Sequence, residues 1–471
     1  MQYSIVNLSE VKENSDFRID AEYWKPENYV VKKLLNECNS CRFEDKIDML
    51  TDYHANGGYK MLKDNVKMTD EKDYALMIRT VDLENENYEN NVKYISENAY
   101  NFLKKTKIFG GEIIINKVGS PGSVFRMPYL NKPVSLGMNQ FLIKIKDAVS
   151  DYIFIFLKTK YGEKLIKQRI TGAVPQSIDK DSIRSIPIFI PSQSFQQSVA
   201  VLVDMSYIFG QSANTLYKET EEILLEELGL KNYQPQNKKC FVKMLSNTQE
   251  AGRIDAEYFQ PKYEDIIDKI KKYNGGYDIL ENISKIKKCI EPGSSEYKED
   301  GIPFIRVSNL DKFGLNAKNQ QYISEAFYKK NIEHQPQKGE ILLSKDGSLG
   351  IAYCLYHEPK QMICSSGIVR LIENKIEPLC LALVLNSIIC QMQIEKTSGG
   401  ALIAHWLVDD IKNLIVPLLP QAIQSQISAK IQQSFESREK SKQLFEVAKR
   451  AVEIAIEENE EAGLKYIEEN K

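Results

Sequence analysis

The sequence has little of several features that particular classes of protein require. Among its 471 residues are only 4 histidines and 2 tryptophans. No apolar run approaches the roughly 18–20 residues that a membrane-spanning helix needs. Neither sign of charge dominates, since 62 Lys+Arg oppose 65 Asp+Glu, which excludes a uniformly basic nucleic-acid-binding coat but not local basic patches. A content of 42% hydrophobic and 27% charged residues indicates a folded chain, and the length predicts roughly two to four domains.

Cysteine spacing gives little support for a metal site. Of the 8 cysteines, only Cys38 and Cys41 are separated by two residues, and no second such pair completes a zinc site. The N-terminal residues lack a basic segment followed by an apolar one, so no signal peptide is predicted. Scattered thiols without a signal peptide indicate a reducing compartment, and we expect a cytoplasmic protein that binds no metal.

Motifs of the common reactive sites are also missing. There is no Gly-Lys dipeptide and hence no GxxxxGK[ST] phosphate loop, no GxSxG nucleophile elbow, and no glycine-rich nucleotide fingerprint after a predicted strand. His357-Glu358 continues into proline and does not form an HExxH zinc motif. The Asp/Asn-Pro-Pro-Tyr sequence expected of a base-amino methyltransferase is absent too. We therefore expect no catalytic residue and no cofactor in this chain.

What the sequence does contain is an internal duplication. Residues 18–23 read RIDAEY, and residues 253–258 read RIDAEY again, each followed by an aromatic residue and then a proline. Further along, the parallel segments are MIRTVDL (77–83) with FIRVSNL (304–310), and GEIIINKVGSPG (111–122) with GEILLSKDGSLG (339–350). A repeat of about 230 residues is far longer than a solenoid unit and predicts two globular domains of similar fold.

Each copy shows the same order of predicted elements. Apolar residues recur at helical spacing after RIDAEY and predict a helix there; they are Tyr29, Val30, Leu34 and Leu35 in the first copy and Tyr263, Ile266, Ile267 and Ile270 in the second. Short β-rich segments punctuated by glycine come next. An apolar helix is then predicted over 152–170 or 379–396, and a last strand leads to Pro191 or Pro420.

The residue composition changes after each of these prolines. Residues 193–230 and 421–471 contain almost no glycine or proline, and their apolar positions recur three and four apart, as in long amphipathic helices that pair with one another. Gly229 and Gly463 are the predicted stops. The sequence thus predicts an α+β protein with two similar globular domains, at 1–192 and 231–420, and long helices at 193–230 and 421–471.

Three features occur together in both copies: RIDAEY with its aromatic residue and proline, the GEI-(x)3-(N/S)K-x-GS-x-G hairpin, and the ending in a strand, a proline and a long helix. This combination resembles the DNA-specificity subunit of type I restriction–modification systems, over nearly the whole chain. The resemblance implies that each globular domain is a target-recognition domain and each long helix is a spacer. It also implies that the helices pair antiparallel about a pseudo-two-fold axis.

The resemblance further implies the partners of the chain. Two methyltransferase subunits would dock on it, restriction subunits could join them, and S-adenosylmethionine would bind the methyltransferase rather than this chain. The target would be a bipartite double-stranded DNA sequence, with no membrane involved. A helix of about 35 residues is roughly 50 Å long, which suits two readers about one 34 Å turn of DNA apart. A protein-interaction scaffold without a DNA role, and a self-sufficient DNA-modifying enzyme with unrecognised motifs, stay open as alternatives.

Polar residues at matched loop positions are the candidates for DNA contact. They are Arg79, Lys117, Ser120, Arg169, Gln176 and Ser177 in the first copy, and Arg306, Lys345, Ser348, Lys396 and His405 in the second. Arginine can grip phosphate or read guanine, and glycine lets the backbone beside a lysine approach a phosphate closely. Ordinary alternatives remain: a framework ion pair for Arg79 and Arg306, an exposed turn for the hairpin residues, and solvated helix ends for Arg169 and Lys396.

The two copies diverge before their last strands. The first has Gln176 and Ser177, and the second has Ala404, His405 and Trp406 in the corresponding segment. Residues that read bases should diverge in this way when two half-sites differ. We therefore predict an asymmetric DNA target.

RIDAEY itself allows two interpretations. Its carboxylates, Asp20 with Glu22 and Asp255 with Glu257, could form a catalytic pair. Because identical carboxylates stand in both copies beside aromatic residues, we favour a framework role, with Asp20 and Asp255 as helix N-caps.

Overall fold

The computed structural model describes residues 5–12, 18–21, 23–398 and 405–471. Glu22 of the first RIDAEY motif, and Ala404 beside His405, lie outside the described residues. The chain forms two compact units, Met1–Ile208 together with Lys440–Lys471, and Phe209–Glu439. Each unit thus takes one half of each long helix. The division into recognition domains and spacer helices at residues 192, 230 and 420 stays a prediction.

The elements before the second copy begin with short helices and strands and end in a long helix. In chain order they are α1 (Leu8–Lys12), α2 (Pro26–Glu37), β1 (Ser40–Arg42), β2 (Ile47–Asp52), α3 (Tyr59–Asn65), β3 (Ala75–Ile78), α4 (Thr80–Glu84), β4 (Lys93–Ile95), α5 (Glu97–Phe102), β5 (Lys107–Ile108), β6 (Ile113–Asn116), β7 (Val124–Arg126), β8 (Val134–Leu136), β9 (Gln140–Ile145), α6 (Ser150–Lys158), α7 (Lys160–Arg169), α8 (Lys180–Arg184), β10 (Pro187–Phe189) and α9 (Gln193–Glu227).

The remaining elements follow a similar order. They are α10 (Leu245–Ala251), α11 (Pro261–Lys271), β11 (Tyr277–Ile279), α12 (Leu280–Ile283), β12 (Lys285–Lys288), β13 (Tyr297–Lys298), β14 (Ile302–Ile305), β15 (Leu310–Asp311), β16 (Gly314–Leu315), β17 (Gln321–Ile323), α13 (Glu325–Lys330), β18 (Ile341–Ser344), β19 (Ala352–Cys354), β20 (Ile363–Cys364), β21 (Ile368–Ile372), α14 (Pro378–Asn386), α15 (Ile388–Ser398), α16 (Val408–Lys412), β22 (Ile415–Pro417), α17 (Gln421–Glu457) and α18 (Glu460–Asn470).

The sheets of the two units have similar topology, although the fourth strand of the second sheet is β5 beside β8 in the first unit and β13 beside β17 in the second. One antiparallel sheet has the strand order β2-β9-β6-β7 in the first unit and β12-β21-β18-β19 in the second. A second sheet places β3 parallel to β8 in the first unit, and β14 parallel to β20 in the second. The first and last strands of each copy also pair, as β1 with β10 and β11 with β22. The predicted duplication and the α+β class are therefore confirmed.

The prediction of one continuous apolar helix after the β-rich segments of each copy is wrong, because the structure has two consecutive helices there in both copies. In the first unit, α6 ends at Lys158 and α7 begins at Lys160. The Thr159 hydroxyl between them donates to the carbonyl of Phe156 at 2.6 Å and accepts from the N–H of Gly162 at 3.1 Å. Ser387 stands at the corresponding break between α14 and α15 and donates to Val384 at 2.6 Å. These local bonds compete with helix continuation.

The long helices are confirmed, with one correction. Helix α9 spans 35 residues and α17 spans 37, but the second predicted helix restarts as α18, where Asn459 caps the N–H of Ala462 at 2.9 Å. Gly463 lies inside α18 and is not a stop, whereas Gly229 follows the end of α9 with φ +66°. Positive φ suits glycine at a helix end.

Antiparallel pairing of the long helices is visible in the second unit. The Ser434 hydroxyl of α17 donates to the carbonyl of Ala213 of α9 at 2.7 Å, and Lys430 pairs with Glu219 at 2.6 Å. Residue numbers fall on one helix as they rise on the other. No single described helix has the length and apolar content to cross a membrane, although the bent pair α14 and α15 passes that test jointly.

The described residues of RIDAEY lie in a turn before α2 in the first copy and before α11 in the second. Asp20 pairs with Arg18 at 2.8 Å and accepts from the N–H of Tyr23 at 3.0 Å, while Arg18 also donates to the carbonyl of Gln168. Asp255 repeats the same contacts with Arg253 and Tyr258 at 2.8 and 3.0 Å. These contacts support the framework interpretation. The predicted N-cap role is wrong, because α2 and α11 begin later, after Lys25 and Gln260.

Candidate nucleic-acid interface

Three strands of the first unit end at one edge of their sheet. The last residues of β2 and β6, Asp52 and Asn116, pair with Phe141 and Gln140 at the start of β9. We call this the hairpin edge of the first unit, because the turn from β6 to β7 leaves from it. Loops at such an edge are held by strands behind them, which fixes the direction of their exposed side chains.

The turn at this edge carries two of the predicted residues. The N–H of Lys117 donates to the carbonyl of Asn139 at 2.7 Å, and the N–H of Gly122 donates to the carbonyl of Asn116 at 2.9 Å. Gly122 has φ +82°, and a Cβ there would lie 2.4 Å from Cγ2 of Ile166. The turn is therefore closely seated on α7, while Ser120 at its tip is exposed.

The segment after α7 joins the turn. Single antiparallel bridges pair Ser177 with Val118 and with Thr171, and the N–H of Ile178 donates to the carbonyl of Lys117 at 3.2 Å. Gln176 precedes this bridge and is exposed. The structure thus brings Lys117, Ser120, Gln176 and Ser177 together at one edge, although the two segments lie far apart in the sequence.

Two lysines share one carboxylate at the hairpin edge of the first unit. Lys180 Nζ lies 3.0 Å from Asp52 Oδ1, and Lys117 Nζ lies 3.7 Å from Asp52 Oδ2. Both ammonium groups also lie over the ring of Phe141, at 5.9 and 5.7 Å from its centre. Sequence reasoning missed Lys180 and Asp52. The signal was available, because Lys180 is the next basic residue after the exposed Gln176 segment.

The second unit has an equivalent hairpin edge. The strand ends Ser344 and Lys288 pair with Ile368 and Val369 of β21, and the turn from β18 to β19 begins with Lys345. The N–H of Trp406 donates to the carbonyl of Lys345 at 2.8 Å, as Ile178 does to Lys117. Ser348 at the tip of the turn is exposed.

One carboxylate also holds two side chains at this second edge. Asp346 Oδ2 lies 2.7 Å from Lys345 Nζ, and Asp346 Oδ1 lies 2.7 Å from His405 Nδ1. Burial raises the pKa of Asp346, but hydrogen bonds from Lys345 and His405 outweigh it and leave this pKa lowered. Asp346 is therefore ionised at neutral pH. Sequence reasoning found Lys345 and His405 but missed the acid between them.

The matched arginines make contacts within the framework. Arg79 donates to both carboxylate oxygens of Asp82, at 3.0 and 2.6 Å, and to the carbonyl of Asn91 at 2.5 Å. This hydrogen bonding to Asp82, which is buried, raises the pKa of Arg79. Arg306 donates to the carbonyl of Asn319 at 2.6 Å, the position that matches Asn91. The contacts favour the framework alternative, and DNA contact by either arginine stays a prediction.

Arg169 and Lys396 are engaged away from the hairpin turns. Arg169 is buried and donates to the hydroxyl and carbonyl of Ser185, at 2.9 and 3.1 Å. Lys396 Nζ lies 4.9 Å from the ring centre of Tyr258 in the second RIDAEY motif, and burial lowers its pKa. Neither side chain is brought to the hairpin edge by these contacts. Their roles in DNA binding stay predictions.

The described residues do not gather the donors that a metal ion would need. Over 5–12, 18–21, 23–398 and 405–471, no group of three or more His, Cys, Asp or Glu side chains could hold a metal. All eight cysteines are free thiols, and Cys41 lies in β1. The two hairpin edges remain as the candidate sites, with half-buried amines and exposed hydroxyls, an amide and an imidazole suited to phosphates and base edges.

Part of the chain is similar to a known protein family. Residues 277–447 match the type I restriction modification DNA specificity domain. The chain is also 24% identical over 221 residues to the specificity subunit of the type I restriction enzyme MjaVIII of Methanocaldococcus jannaschii. That alignment covers 45% of this chain and 50% of the relative, so the chain spans about half the length of the curated relative it matches.

Two solved structures resemble this chain at low sequence identity and low structural similarity. The S subunit of a type I restriction–modification system from M. genitalium is 14% identical, with a TM-score of 0.42 over 92% of this chain and 96% of that one. The HsdS subunit from Thermoanaerobacter tengcongensis is also 14% identical, with a TM-score of 0.28 over 89% and 96% of the two chains.

Proposed function

We propose that the chain is a specificity subunit of a type I restriction–modification complex and selects the DNA on which the methyltransferase subunits of that complex act, because residues 277–447 match the type I restriction modification DNA specificity domain. The observation that supports this most is the repeated hairpin edge. Each unit places an exposed lysine-bearing turn and a polar segment from after its paired helices on the same sheet edge. Such a surface suits contact with phosphates and base edges.

The target we propose is bipartite and asymmetric. Two units of matching topology provide two readers, and each reads one short half-site. The side chains at the two edges differ, since Ser177 and Lys180 act in the first and His405 acts in the second. Different donors and acceptors select different base edges.

The chemistry we propose belongs to other chains. Two methyltransferase subunits dock on the paired long helices, and they bind S-adenosylmethionine and carry the catalytic residues. Restriction subunits can join the same complex. Because the proposed substrate is cellular DNA, we also propose that the chain is cytoplasmic.

The test is to purify the chain with and without its methyltransferase and to measure DNA binding over a salt series. We expect the complex to bind DNA with an affinity that falls steeply as salt rises, because phosphate contacts release counterions. Replacing Lys117 and Lys345 by Gln should lower the salt slope by about one for each lysine that contacts phosphate. Lys33→Gln is the matched control, since Lys33 is exposed on α2 and pairs only weakly with Glu37 at 4.0 Å.

Two outcomes would replace the proposal. Methylation by the chain alone would identify a self-sufficient enzyme. A complex that assembles fully but binds no DNA at low salt would identify a protein-interaction scaffold.

A further inference from the structure

One carboxylate with two nitrogen-bearing side chains recurs at the hairpin edge of each unit. Asp52 uses one oxygen for Lys180 and the other for Lys117, at 3.0 and 3.7 Å. Asp346 uses one oxygen for His405 and the other for Lys345, both at 2.7 Å. Both oxygens of a single acid are thus occupied in each unit.

The arrangement recurs although most of its residues do not. Only the lysine stands at a matching position. Lys288 holds the strand position that matches Asp52, as the pairing with β21 and β9 shows, and Val118 holds the turn position that matches Asp346. Framework parts such as RIDAEY recur as identical residues instead. Because residues at different positions form the same charge pattern in the two units, we attribute the pattern to a requirement of the ligand rather than to a requirement of the fold.

The acid lies beneath both of its partners in the first unit and beneath one of its two partners in the second. The side chain of Asp52 is 12% exposed, against 35% for Lys117 and 31% for Lys180. In the second unit His405 is 65% exposed and Asp346 is 25% exposed, whereas Lys345, at 21%, is covered about as well as the acid. Since a carboxylate can only accept, Nδ1 of His405 carries the hydrogen between them, and its Nε2 is left for a ligand.

A carboxylate paired with the amines of a reader opposes non-specific binding. An unrestrained ammonium binds any backbone phosphate, and such contacts carry no sequence information. A carboxylate on the same ammonium offsets its charge and directs its remaining N–H bonds away from the acid. Only an acceptor placed in line with those bonds is then favoured. Specificity commonly depends on such an opposing element.

We propose that Asp52 and Asp346 are the specificity-determining positioning residues of the two readers, each fixing a pair of side chains against its half of the DNA target. The inference rests on the proposed function and names the groups that make each reader selective. Each acid acts on its own half-site, because its partners all lie within its own unit.

The experiment uses the complex of the full chain with its methyltransferase and four short duplexes. One carries the methylated motif found by methylome sequencing, two have one half scrambled, and one has both halves scrambled. We expect Asp52→Asn to reduce discrimination about tenfold at one half only, and Asp346→Asn to do so at the other half only. Both variants should bind the fully scrambled duplex more tightly, since an opposing negative charge is removed.

Matched controls are Asp48→Asn and Asp300→Asn, which are exposed acids in the first and second units. Both should leave the ratios of dissociation constants unchanged. Should an Asp52 or Asp346 variant fail to fold, Lys180→Gln and His405→Gln replace it and should relax the same halves.

Three results would overturn the inference alone: equal weakening on all duplexes, unchanged discrimination, or loss at the same half for both acids. A wild-type complex that binds intact and scrambled duplexes equally would overturn the proposed function, and the inference with it.

Discussion

Lys117 and Lys345 occupy matching positions in the two hairpin turns, yet they pair with acids from different elements. Asp52 ends a strand on the neighbouring side of the sheet, whereas Asp346 directly follows Lys345 in the turn. The environment of a matched residue is therefore set by unmatched neighbours. At the residue scale, the ion pairs of each lysine depend on its neighbours in space and not on its position in the repeat.

Glu457 supplies a prediction about pH within the first unit. It accepts hydrogen bonds from Tyr161 at 2.8 Å and from Arg450 at 3.0 Å, and pairs with Lys160 at 2.6 Å. Burial raises its pKa, but these three partners outweigh burial and hold the pKa at about 2, below its ordinary value of 4.5. A lowered folded-state pKa stabilises the fold above the ordinary value, and this stabilisation is lost as pH falls through the folded-state value.

We therefore expect Glu457→Gln to cost about 1 kcal/mol near neutral pH, or about 2–4 °C in Tm. The difference from wild type should shrink as pH falls below about 4.5 toward about 2. Thermal unfolding at several pH values measures it. Glu458→Gln, at an exposed neighbouring position, is the control, and a difference that grows in acid would contradict the assignment.

Gly122 supplies a prediction about close approach. Its φ is +82°, and a Cβ at this position would lie only 2.4 Å from Ile166 Cγ2, so any larger residue is unfavourable there. Gly122→Ala should cost about 1–3 kcal/mol in denaturant unfolding. Gly119→Ala, with φ +99° and nothing within 4 Å of a Cβ, adds backbone strain without the clash and should cost less. Equal costs would show that the turn is not seated on α7.

Helices in this fold end where side chains compete for their backbone bonds. Thr159 and Ser387 break the two apolar helices at matching places, and Asn459 starts α18 soon after α17. Each does so with a short polar side chain that bonds to nearby backbone groups. At the element scale, apolar periodicity predicts where a helix lies, and single hydroxyls or amides decide where it stops.

Thr159→Val tests this directly, because valine keeps the shape and removes the hydroxyl. Thr159 is fully buried, so the loss of its cap should cost about 1–2 kcal/mol in the free energy of unfolding. Ser198→Ala on α9 is the comparison, since that hydroxyl bonds only within its own helix at 3.0 Å, to Ser194. A cost for Thr159→Val no larger than that of Ser198→Ala would contradict the capping role.

At the scale of the whole molecule, two units share a topology and differ at the surface that we propose reads DNA. The sheets that carry their hairpin edges have the same strand order, and both hairpin turns close with the same backbone bond to the segment that follows. The exposed side chains there differ in number and kind. A duplicated framework with divergent edges predicts related readers with unlike targets.

Methylome sequencing of cells that carry this chain and its methyltransferase measures that prediction. We expect a methylated motif with two specified parts of different sequence, separated by unspecified bases. Cells with the methyltransferase alone are the control and should lack the motif. A strictly palindromic motif would contradict the prediction of unlike readers.

The amino-acid sequence by itself determined the duplication, the order of elements, the glycine hairpins and the two long helices. These depend on short-range patterns: apolar residues at helical spacing, glycine at positive φ, and repeated motifs. It also supplied Lys117, Lys345 and His405 as candidates. The prediction that Asp20 and Asp255 are helix N-caps was wrong. In the first copy the carboxylate of Asp20 bonds instead to Arg18 and to the N–H of Tyr23, before the helix begins.

Only the tertiary structure decided which charges meet. Lys180 lies 128 positions from Asp52 in the chain, and His405 lies 59 positions from Asp346, yet each pair is in hydrogen-bond contact. Arg169 was a surface candidate by sequence and is a buried anchor of Ser185 in the fold. No local pattern encodes such pairings, because they arise when sheet pairing brings distant strand ends to one edge, and electrostatic contact depends on that distance in space.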